Sequence, residues 1–338
     1  HPALPAAGLS GPVRDTRPTM RIILLSNPTS RHGRHSGAAD AAVAALEDAG
    51  HEVLVATSTG YEATRRRAVA LLTDIGHRPD ALVVVGGDGM IHLGLGVVAR
   101  TGVPLGVVAV GTGNDIARHF GLPVGDVGAS VSIVNHALAG TGRVLAVDAI
   151  HAARPDGTPV QACHQWSMAT VGAGIEAAVN ARANTLPWPS GESRYTVAAL
   201  EEIVRLAPYG YRLTTDSGTW TGAALLVSAA NTRYIGGGMD LAPQADPTDG
   251  LLEVVRLDPC GRLSVLALLR RVFAGTHVGR PGVHVERSRS LTIEPWPDDG
   301  AGGWLRDPPH PYADGERLAS LPLHLEAVPQ AVGLLLPA

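Results

Sequence analysis

The chain has 338 residues, of which 45% are hydrophobic and 17% are charged, with 27 basic and 31 acidic side chains. This length favours two domains, the apolar content excludes a disordered chain, and the balanced charge argues against a nucleic-acid partner. Every Lys or Arg position is arginine, so nucleotide sites that depend on a lysine are excluded as well.

The cysteine usage and the start of the chain bear on its location. Cys163 and Cys260 have neither a metal-binding spacing nor a disulfide framework, which fits a reducing compartment, so we expect a cytoplasmic protein. No apolar stretch approaches the ~20 residues of a membrane span. Residues 1–19 lack a signal-peptide pattern and are predicted to be a disordered extension.

From Met20 to about Val147, strands and helices are predicted to alternate. The predicted strands cover residues 22–25, 51–56, 81–85 and 103–110, and the predicted helices cover 37–49 and 62–75. Valine-rich strands between helices are typical of a parallel sheet that is covered on both faces. We therefore predict a nucleotide-binding α/β domain over residues 20–147.

After Asp148 the pattern changes to short apolar runs between turns rich in Gly, Pro and Asp. Antiparallel strands are predicted at 213–215, 223–230, 251–257 and 291–294, with helices at 195–206 and 263–273. We predict a boundary near 145–150, a β-rich substrate domain over 148–325, and a segment, 326–338, that can return to the first domain. A cleft between two domains is a common place for a small substrate.

Two glycine-rich turns follow successive predicted strands: Gly86-Gly87-Asp88-Gly89-Met90 and Gly111-Thr112-Gly113-Asn114-Asp115. Glycines allow backbone N–H groups to approach an anion closely, so the pair predicts a phosphate site. A carboxylate beside a phosphate repels it unless a cation stands between them, so Asp88 and Asp115 indicate Mg²⁺. The alternative is that these side chains are helix N-caps, and both interpretations can hold together.

Other segments carry weaker signals. Asn27 ends the first predicted strand and would face the same edge, although such a residue is also ordinary there. Asp246 and Asp249 can share a hard cation with a backbone carbonyl, or be solvated turn residues. Asp314-Gly315-Glu316 predicts, by its spacing alone, a hairpin turn. The histidines show no metal-binding spacing, and we expect them on the surface and in loops.

Taken in order, these motifs resemble those of the diacylglycerol kinase catalytic-domain family, soluble bacterial lipid kinases related to sphingosine kinases. The matching residues are Asn27-Pro28, Gly86–Gly89, Gly111–Asp115, Ala117-Arg118, Asn231, Gly236–Met239, Pro243, Asp249-Gly250 and Asp314-Gly315-Glu316. The resemblance implies a three-layer α/β domain like that of NAD kinases and phosphofructokinases. It also implies a C-terminal β-sandwich, with the lipid site between the two domains.

The resemblance further implies where the nucleotide and its metal bind. The residues around ATP would be Asn27, Thr57, Gly86, Gly87, Asp88, Gly89, Met90, Thr112, Asn114 and Asp115. Asp88, Asp115 and Asp148 would form a water-mediated acidic network around the catalytic Mg²⁺.

A second Mg²⁺ site and the general base are implied in the same way. Asp246, Asp249 and the carbonyl of Leu251 would hold a structural Mg²⁺. Asp314 would accept the proton of the lipid hydroxyl, with Glu316 in support. Because phosphoryl transfer requires mainly positioning and charge neutralisation, this set is chemically coherent.

The helix after the first glycine turn departs from the family pattern. Most members have Thr and then Asn-Glu, where this chain has Met90, His92 and Leu93. A hydroxyl and a carboxylate are thus absent near the phosphates, which bears on nucleotide affinity.

The expected function is ATP- and Mg²⁺-dependent phosphorylation of a lipid hydroxyl, with diacylglycerol giving phosphatidic acid as the leading case. The alternatives are an NAD kinase-type enzyme, a kinase of a hydroxylated secondary metabolite, and a catalytically silent lipid-binding regulator. The lipid would be met at the inner face of a membrane. The loop Leu186-Pro187-Trp188-Pro189 is either a segment that contacts the membrane interface or simply a rigid loop. A homodimer is one of the assemblies that the sequence allows.

Overall fold

A computed structural model of the chain describes residues 19–26, 37–74, 76–188, 192–297 and 306–338. Within these ranges the strands form a ten-stranded sheet, a six-stranded sheet and a two-stranded ribbon. None of the helices in the same ranges is long and apolar enough to cross a membrane.

The first half of the chain is a three-layer α/β domain. Its elements are β1 (Arg21–Ser26), α1 (Ala38–Asp48), β2 (Glu52–Val55), α2 (Tyr61–Leu72), β3 (Ala81–Gly86), α3 (Asp88–Val98), β4 (Leu105–Ala109), α4 (Asp115–His119) and α5 (Val127–Leu138). The strands run parallel in the order β2-β1-β3-β4. Alternate residues of β1 face opposite sides: Ile23 packs in the core that includes α2 and α3, and Leu24 in the core that includes α1 and α5.

The second half is a β-sandwich with three helices. Its elements are β5 (Arg143–Ala153), β6 (Trp166–Ser167), β7 (Thr170–Gly174), α6 (Ile175–Thr185), α7 (Glu192–Val204), β8 (Tyr209–Thr215), β9 (Gly218–Ala224), β10 (Leu226–Ala230), β11 (Tyr234–Ile235), β12 (Met239–Asp240), β13 (Leu252–Leu257), α8 (Arg262–Phe273), β14 (Val283–Ser288), β15 (Ser290–Pro295), β16 (Tyr312–Ala313), β17 (Glu316–Arg317) and β18 (Leu323–Leu336). One core buries Tyr211 and Leu291 of the larger sheet against Val171 and Val227 of the smaller one. The predicted α/β and β-sandwich architecture is therefore confirmed.

The two domains share the ten-stranded sheet. β5 runs without a break through the predicted boundary near residues 145–150, and it pairs antiparallel with β18 on both sides of an irregularity between Val328 and Val332. β18 also pairs antiparallel with β15, and in parallel with β4 at Leu334 and Leu105. Residues 326–336 thus continue a strand that begins in the sandwich and ends beside the nucleotide-domain sheet.

Several elements differ from the sequence-based expectation, among them helix α5, which was not predicted, and the two described next. The predicted strand 223–230 is two strands, because Leu225 leaves the ladder and its carbonyl accepts from the N–H of Ile175 at 2.8 Å. Helix α6 was not predicted. Its buried residues are the two alanines Ala177 and Ala183, so it lacks the apolar stripe that marks an amphipathic helix.

Candidate active site

The two glycine turns meet at the carboxyl edge of the parallel sheet. β3 ends at Gly86 and β4 at Ala109, so the following turns lie side by side. A Cβ atom on Gly111 would lie 2.3 Å from the Cα atom of Gly87. Both turns therefore need bare backbone, and the surface they present is made of backbone groups. Such a surface, at the N-terminus of α3, suits an anion such as phosphate.

Asp88 joins the two turns. Its carboxylate accepts from the N–H groups of Asp115, at 3.1 Å, and Ile116, at 3.0 Å, and so caps the start of α4. Burial, and then the neighbouring charge of Asp115, raise the pKa of Asp88 to about 6 although the two amide bonds oppose this shift. Asp88 thus caps α4 and not the helix that it begins, and neither α3 nor α4 has a side-chain cap from its own N-terminal residues, so the N-cap interpretation was wrong in that form. Mg²⁺ between these two carboxylates stays a prediction, because both oxygens of Asp88 already accept backbone N–H groups and Asp115 already pairs with Arg118.

Asp115 connects the nucleotide domain with the sandwich. Its Oδ2 accepts from the N–H of Gly237 at 2.8 Å, and its Oδ1 accepts from Nη1 of Arg118 at 2.6 Å. Gly236, Gly237 and Gly238 all have positive φ, of 57°, 86° and 110°, which turns their backbone toward the first domain. The glycine triplet thus offers its amides to a carboxylate of the other domain.

The other predicted nucleotide residues lie around this edge. Thr57 follows β2, and its hydroxyl lies 2.8 Å from that of Ser26 at the end of β1. Asn114 is buried and closes the second turn through its amide, which donates to Gly111 O at 2.6 Å. Thr112 is exposed, whereas Met90 is partly buried over Gly86. Asn27 belongs to the segment 27–36, outside the described residues.

Asp314 occupies the predicted hairpin turn between β16 and β17, with φ of 48° at Asp314 and 87° at Gly315. Its side chain is fully buried. The carboxylate accepts from the N–H groups of Met168, Ala169 and Thr170 at 2.9 to 3.0 Å. The turn is therefore fixed over the start of β7, and spacing correctly predicted it.

His92 supplies a fourth hydrogen bond to Asp314. It lies one turn beyond Asp88 on α3, and its Nδ1 is 3.0 Å from Asp314 Oδ2. Its Nε2 is 3.1 Å from Nδ1 of His164, in the short 3₁₀ helix Ala162–His164. His92 is fully buried, so the expectation that the histidines lie on the surface and in loops was wrong for it. Without a paired spacing, the sequence carried no signal for this contact.

Glu316 reaches the first glycine turn from the opposite side. Its Oε1 would lie 2.9 Å from a Cβ atom on Gly89, so the carboxylate packs directly against this glycine. Burial, and to a smaller degree the charge of Asp314, raise the pKa of Glu316, while His92 opposes the shift. The hairpin therefore brings a second carboxylate to the predicted phosphate site.

The predicted structural metal site does not form a cluster. Asp246 Oδ1 accepts from the backbone and side chain of Thr248, and Asp249 accepts from the N–H of Leu251 and from Arg287. In the described ranges, three or more His, Cys, Asp or Glu residues nowhere converge as metal ligands. An arginine already neutralises Asp249, so these residues do not fit a Mg²⁺ site as they stand.

Asp148 has a separate structural contact. It is buried, and its two carboxylate oxygens accept from the N–H groups of Gly250, at 2.7 Å, and Gln330, at 2.8 Å. It therefore ties the turn that carries Asp249 to β18. Its place in a water-mediated network with Asp88 and Asp115 stays a prediction.

Comparison with known proteins agrees with this geometry. Residues 21–147 match the diacylglycerol kinase catalytic domain, and residues 169–336 match the YegS C-terminal NAD kinase β-sandwich-like domain. A diacylglycerol kinase of Mycobacterium tuberculosis is 34% identical over 322 residues, covering 94% of this chain and 95% of that protein. A "Probable lipid kinase YegS-like" of Stenotrophomonas maltophilia is 27% identical over 273 residues, covering 78% and 81%.

Comparison with solved structures finds the same fold. The crystal structure of a diacylglycerol kinase from Bacillus anthracis superposes with a TM-score of 0.63 at 16% identity, and covers 94% of this chain and 97% of that one. At this identity the likeness shows the fold alone. The sequence match over nearly the whole length shows more: the chain belongs to the diacylglycerol kinase family, and it is a lipid kinase.

Proposed function

We propose that the chain transfers the γ-phosphate of ATP to the hydroxyl of a lipid alcohol, with diacylglycerol as the acceptor and phosphatidic acid as the product. One observation carries the proposal. The hairpin that holds Asp314 and Glu316 reaches the glycine turn, with Glu316 Oε1 2.9 Å from the position of a Cβ atom on Gly89. A carboxylate pair is thus next to the surface where phosphate is expected.

The donor side rests on the backbone surface at Gly87 and Gly111. With no lysine in the chain, the phosphates would be held by amides and by Mg²⁺. Asp88 and Asp115 would hold the metal, whose charge would offset that of the phosphates during transfer. The chain's own residues align the nucleotide, because Asp88 fixes α4 and Asn114 fixes the second turn.

The acceptor side rests on the surroundings of Glu316 and on the relatives. Tyr195 of α7 lies near enough for the charge of Glu316 to raise its pKa, after the larger effect of burial. Trp188, between α6 and α7, is 80% exposed. An aromatic side chain near Glu316 suits a lipid with an apolar body and a hydroxyl head. Diacylglycerol is the acceptor named for the Mycobacterium tuberculosis relative.

A direct assay tests the proposal. The purified chain would be given ATP, Mg²⁺ and dioleoylglycerol in mixed micelles, and phosphatidic acid would be measured by mass spectrometry. Asp88→Asn should lower the rate by at least about 100-fold, since it changes the charge beside the transferred phosphate.

Parallel reactions with a sphingoid base and with NAD identify the acceptor class. A higher kcat/KM with the sphingoid base would support the assignment as a lipid kinase but would contradict diacylglycerol as the acceptor. Phosphorylation of NAD without any lipid product would reject the proposal, and lipid binding without turnover would favour the silent regulator.

A further inference from the structure

Helix α8 exposes large apolar side chains along one face. Leu263 is 83% exposed, Phe273 is 55% exposed, and Leu266 between them is exposed as well. Their spacing of three and then seven positions places them on the same side of the helix. Val265 is the residue of α8 that is buried. A helix with apolar residues on all sides is ordinarily buried, so the exposed face of α8 indicates a partner.

The neighbouring helix α7 extends this apolar surface. Leu200 and Val204 are exposed and lie one turn apart at the end of α7. Arg262 Nε donates to the carbonyl of Val204 at 3.0 Å, so the end of α7 adjoins the start of α8. The two helices thus form one surface, here called the α7–α8 face, made of Leu200, Val204, Leu263, Leu266 and Phe273.

The charges on α8 are all positive. Arg270 lies on the α7–α8 face and Arg271 lies beside it, both are exposed, and α8 contains no acidic residue. None of the carboxylates in the described part of the chain forms an ion pair with either arginine. The acidic residues at the adjoining end of α7, Glu201 and Glu202, are already paired with other arginines. The surface is therefore basic, although the whole chain has more acidic than basic residues.

Both ends of α8 are connected to the candidate active site. At the C-terminal end, Gly275 packs against Asp240, since a Cβ atom on Gly275 would lie 2.7 Å from Asp240 Oδ2. Asp240 belongs to the β11–β12 ribbon, whose glycine turn donates a hydrogen bond to Asp115. At the other end α8 adjoins α7, which carries the aromatic side chain near Glu316. A membrane on the α7–α8 face would therefore be met by the same part of the molecule that holds the site.

We propose that the α7–α8 face binds the surface of an anionic membrane. The proposal rests on the function proposed above, because it gives the site access to an acceptor that stays in the bilayer. Leu263, Leu266 and Phe273 enter the boundary between the headgroups and the acyl chains, where apolar side chains of an interfacial helix are favoured. Arg270 and Arg271 keep their charged ends at the level of the lipid phosphates.

The charge of the face favours a membrane over a second copy of the chain. A symmetric dimer through this face would bring the arginines of two α8 helices together, and neither helix has an acidic residue to offset them. An anionic bilayer instead offers a phosphate group to each arginine. Binding that depends on this attraction should weaken as the salt concentration rises.

Sedimentation with vesicles, in the absence of ATP, tests the proposal. The vesicles contain phosphatidylglycerol and phosphatidylcholine in equal parts, or phosphatidylcholine alone, and the wild type should bind the mixed vesicles about tenfold or more tightly. Arg270→Gln combined with Arg271→Gln should weaken binding to the mixed vesicles by about 25-fold, which is about fivefold for each arginine. Leu263→Gln combined with Phe273→Gln should weaken binding to them by about tenfold or more, because less apolar surface is buried.

Two double variants in the first domain are matched controls. Arg66→Gln with Arg67→Gln removes an adjacent pair of exposed arginines from α2, and Val124→Gln with Val144→Gln removes two exposed apolar side chains. Each should change vesicle binding by less than about twofold, because charges beyond the screening length contribute little. Thermal unfolding checks that every variant is folded. Wild-type binding by the α8 variants, or an equal loss in the control variants, would overturn the proposal.

Activity measurements separate this proposal from the proposed function. Dihexanoylglycerol can reach the site from water, so the α8 variants should phosphorylate it as the wild type does. With dioleoylglycerol in the mixed vesicles, the same variants should lose about tenfold or more in kcat/KM. Vesicle binding as expected without phosphorylation of either lipid would contradict the proposed function alone. A wild-type dimer in sedimentation equilibrium that Leu263→Gln with Phe273→Gln dissociates, while vesicle binding stays the same, would overturn the membrane proposal in favour of a second copy.

Discussion

Gly87 and Gly111 touch through their backbones: a Cβ atom on Gly111 would come within 2.3 Å of the Gly87 Cα atom and 2.8 Å of its nitrogen. Neither neighbour is the end of a flexible side chain, so the contact cannot be relieved by a rotamer change. The two phosphate-binding turns are thus a single rigid unit, although about one helix and one strand separate them along the chain.

Gly111→Ala should therefore push the two turns apart. We expect a loss of about 1–3 kcal/mol in the free energy of unfolding and at least a tenfold weaker binding of a fluorescent ATP analogue. Gly128→Ala is the matched control, because its only close contact would be Asp126 Oδ1 at 3.6 Å. Equal nucleotide affinity in the two variants would contradict the shared-turn interpretation.

Asp115→Asn tests the link between the domains. The carboxylate accepts from Gly237 and from Arg118, and an amide oxygen cannot replace both oxygens. We expect about 1–3 kcal/mol lower stability in urea denaturation, together with weaker nucleotide binding. Arg118→Gln is the control: its side chain is 43% exposed, and its ion pair should contribute less than about 1 kcal/mol. A larger effect in Arg118→Gln would show that the arginine, not the glycine triplet, is the important partner.

Glu176 makes the stability of the sandwich depend on pH. The Glu176 carboxyl packs against Gly172: a Cβ atom on Gly172 would lie 2.2 Å from the carboxyl carbon of Glu176. Burial raises the pKa of Glu176 to about 7. The folded state thus holds a proton that the unfolded chain loses near pH 4.3. The contribution of Glu176 to stability should be greatest below that pH, and it should fall by about 3 kcal/mol between about pH 4.3 and the folded-state pKa near 7.

Urea denaturation at a series of pH values checks this prediction. Glu176→Gln should flatten the decline, because glutamine cannot ionise. Glu47→Gln, exposed on α1, is the control and should leave the wild-type curve unchanged. A decline that survives in Glu176→Gln would place its origin elsewhere in the chain.

Arg287 competes with any cation at the turn that carries Asp249. Its guanidinium bonds to Asp249 and lies 3.2 Å from Glu253. Arg287→Gln should raise the affinity of this turn for Mg²⁺ by about tenfold, measured by titration calorimetry. Arg256→Gln, which removes the nearby pair with Asp258, should not change it. If neither the wild type nor Arg287→Gln binds Mg²⁺ there, the predicted structural metal site does not exist.

Trp188 is a second candidate for a membrane contact. It is 80% exposed, and a tryptophan ring is favoured at the boundary between water and lipid. Trp188→Ala should lower the fraction of protein that sediments with anionic vesicles by about threefold. Val124→Ala removes another exposed apolar side chain, in the first domain, and is the control. Unchanged binding of Trp188→Ala would exclude this loop as a membrane contact.

Turns and strands that depend on neighbouring residues could be predicted from the sequence. The turns at Gly87 and Gly111 and the hairpin at Asp314 each need backbone conformations or contacts that favour glycine or aspartate, so the residue types alone indicated them. The valine-rich strands indicated the parallel sheet, because β-branched apolar side chains suit strands that are buried on both faces. Such features depend on a few consecutive residues.

Contacts between residues that are far apart in the chain could not be predicted from the sequence. His92 and Asp314 are 222 positions apart, and nothing in either neighbourhood distinguishes His92 from a surface histidine. The contact of Glu316 with Gly89 and the bond of Asp115 to Gly237 are likewise made only by the fold. The resemblance indicated which residues gather at the site, but not which of two carboxylates is buried.

The long strand β18 has a consequence for the order of assembly. Leu334 pairs with Leu105 of β4, and the N–H of Arg100 donates to the carbonyl of Ala331 at 2.7 Å. During synthesis, the Leu105 end of β4 therefore waits without its β18 partner until more than 200 further residues have been made, as the difference between positions 334 and 105 requires. Such late closure slows folding and exposes an edge to other chains. A fragment ending at residue 147 should therefore aggregate, and co-expression with residues 148–338 should rescue it.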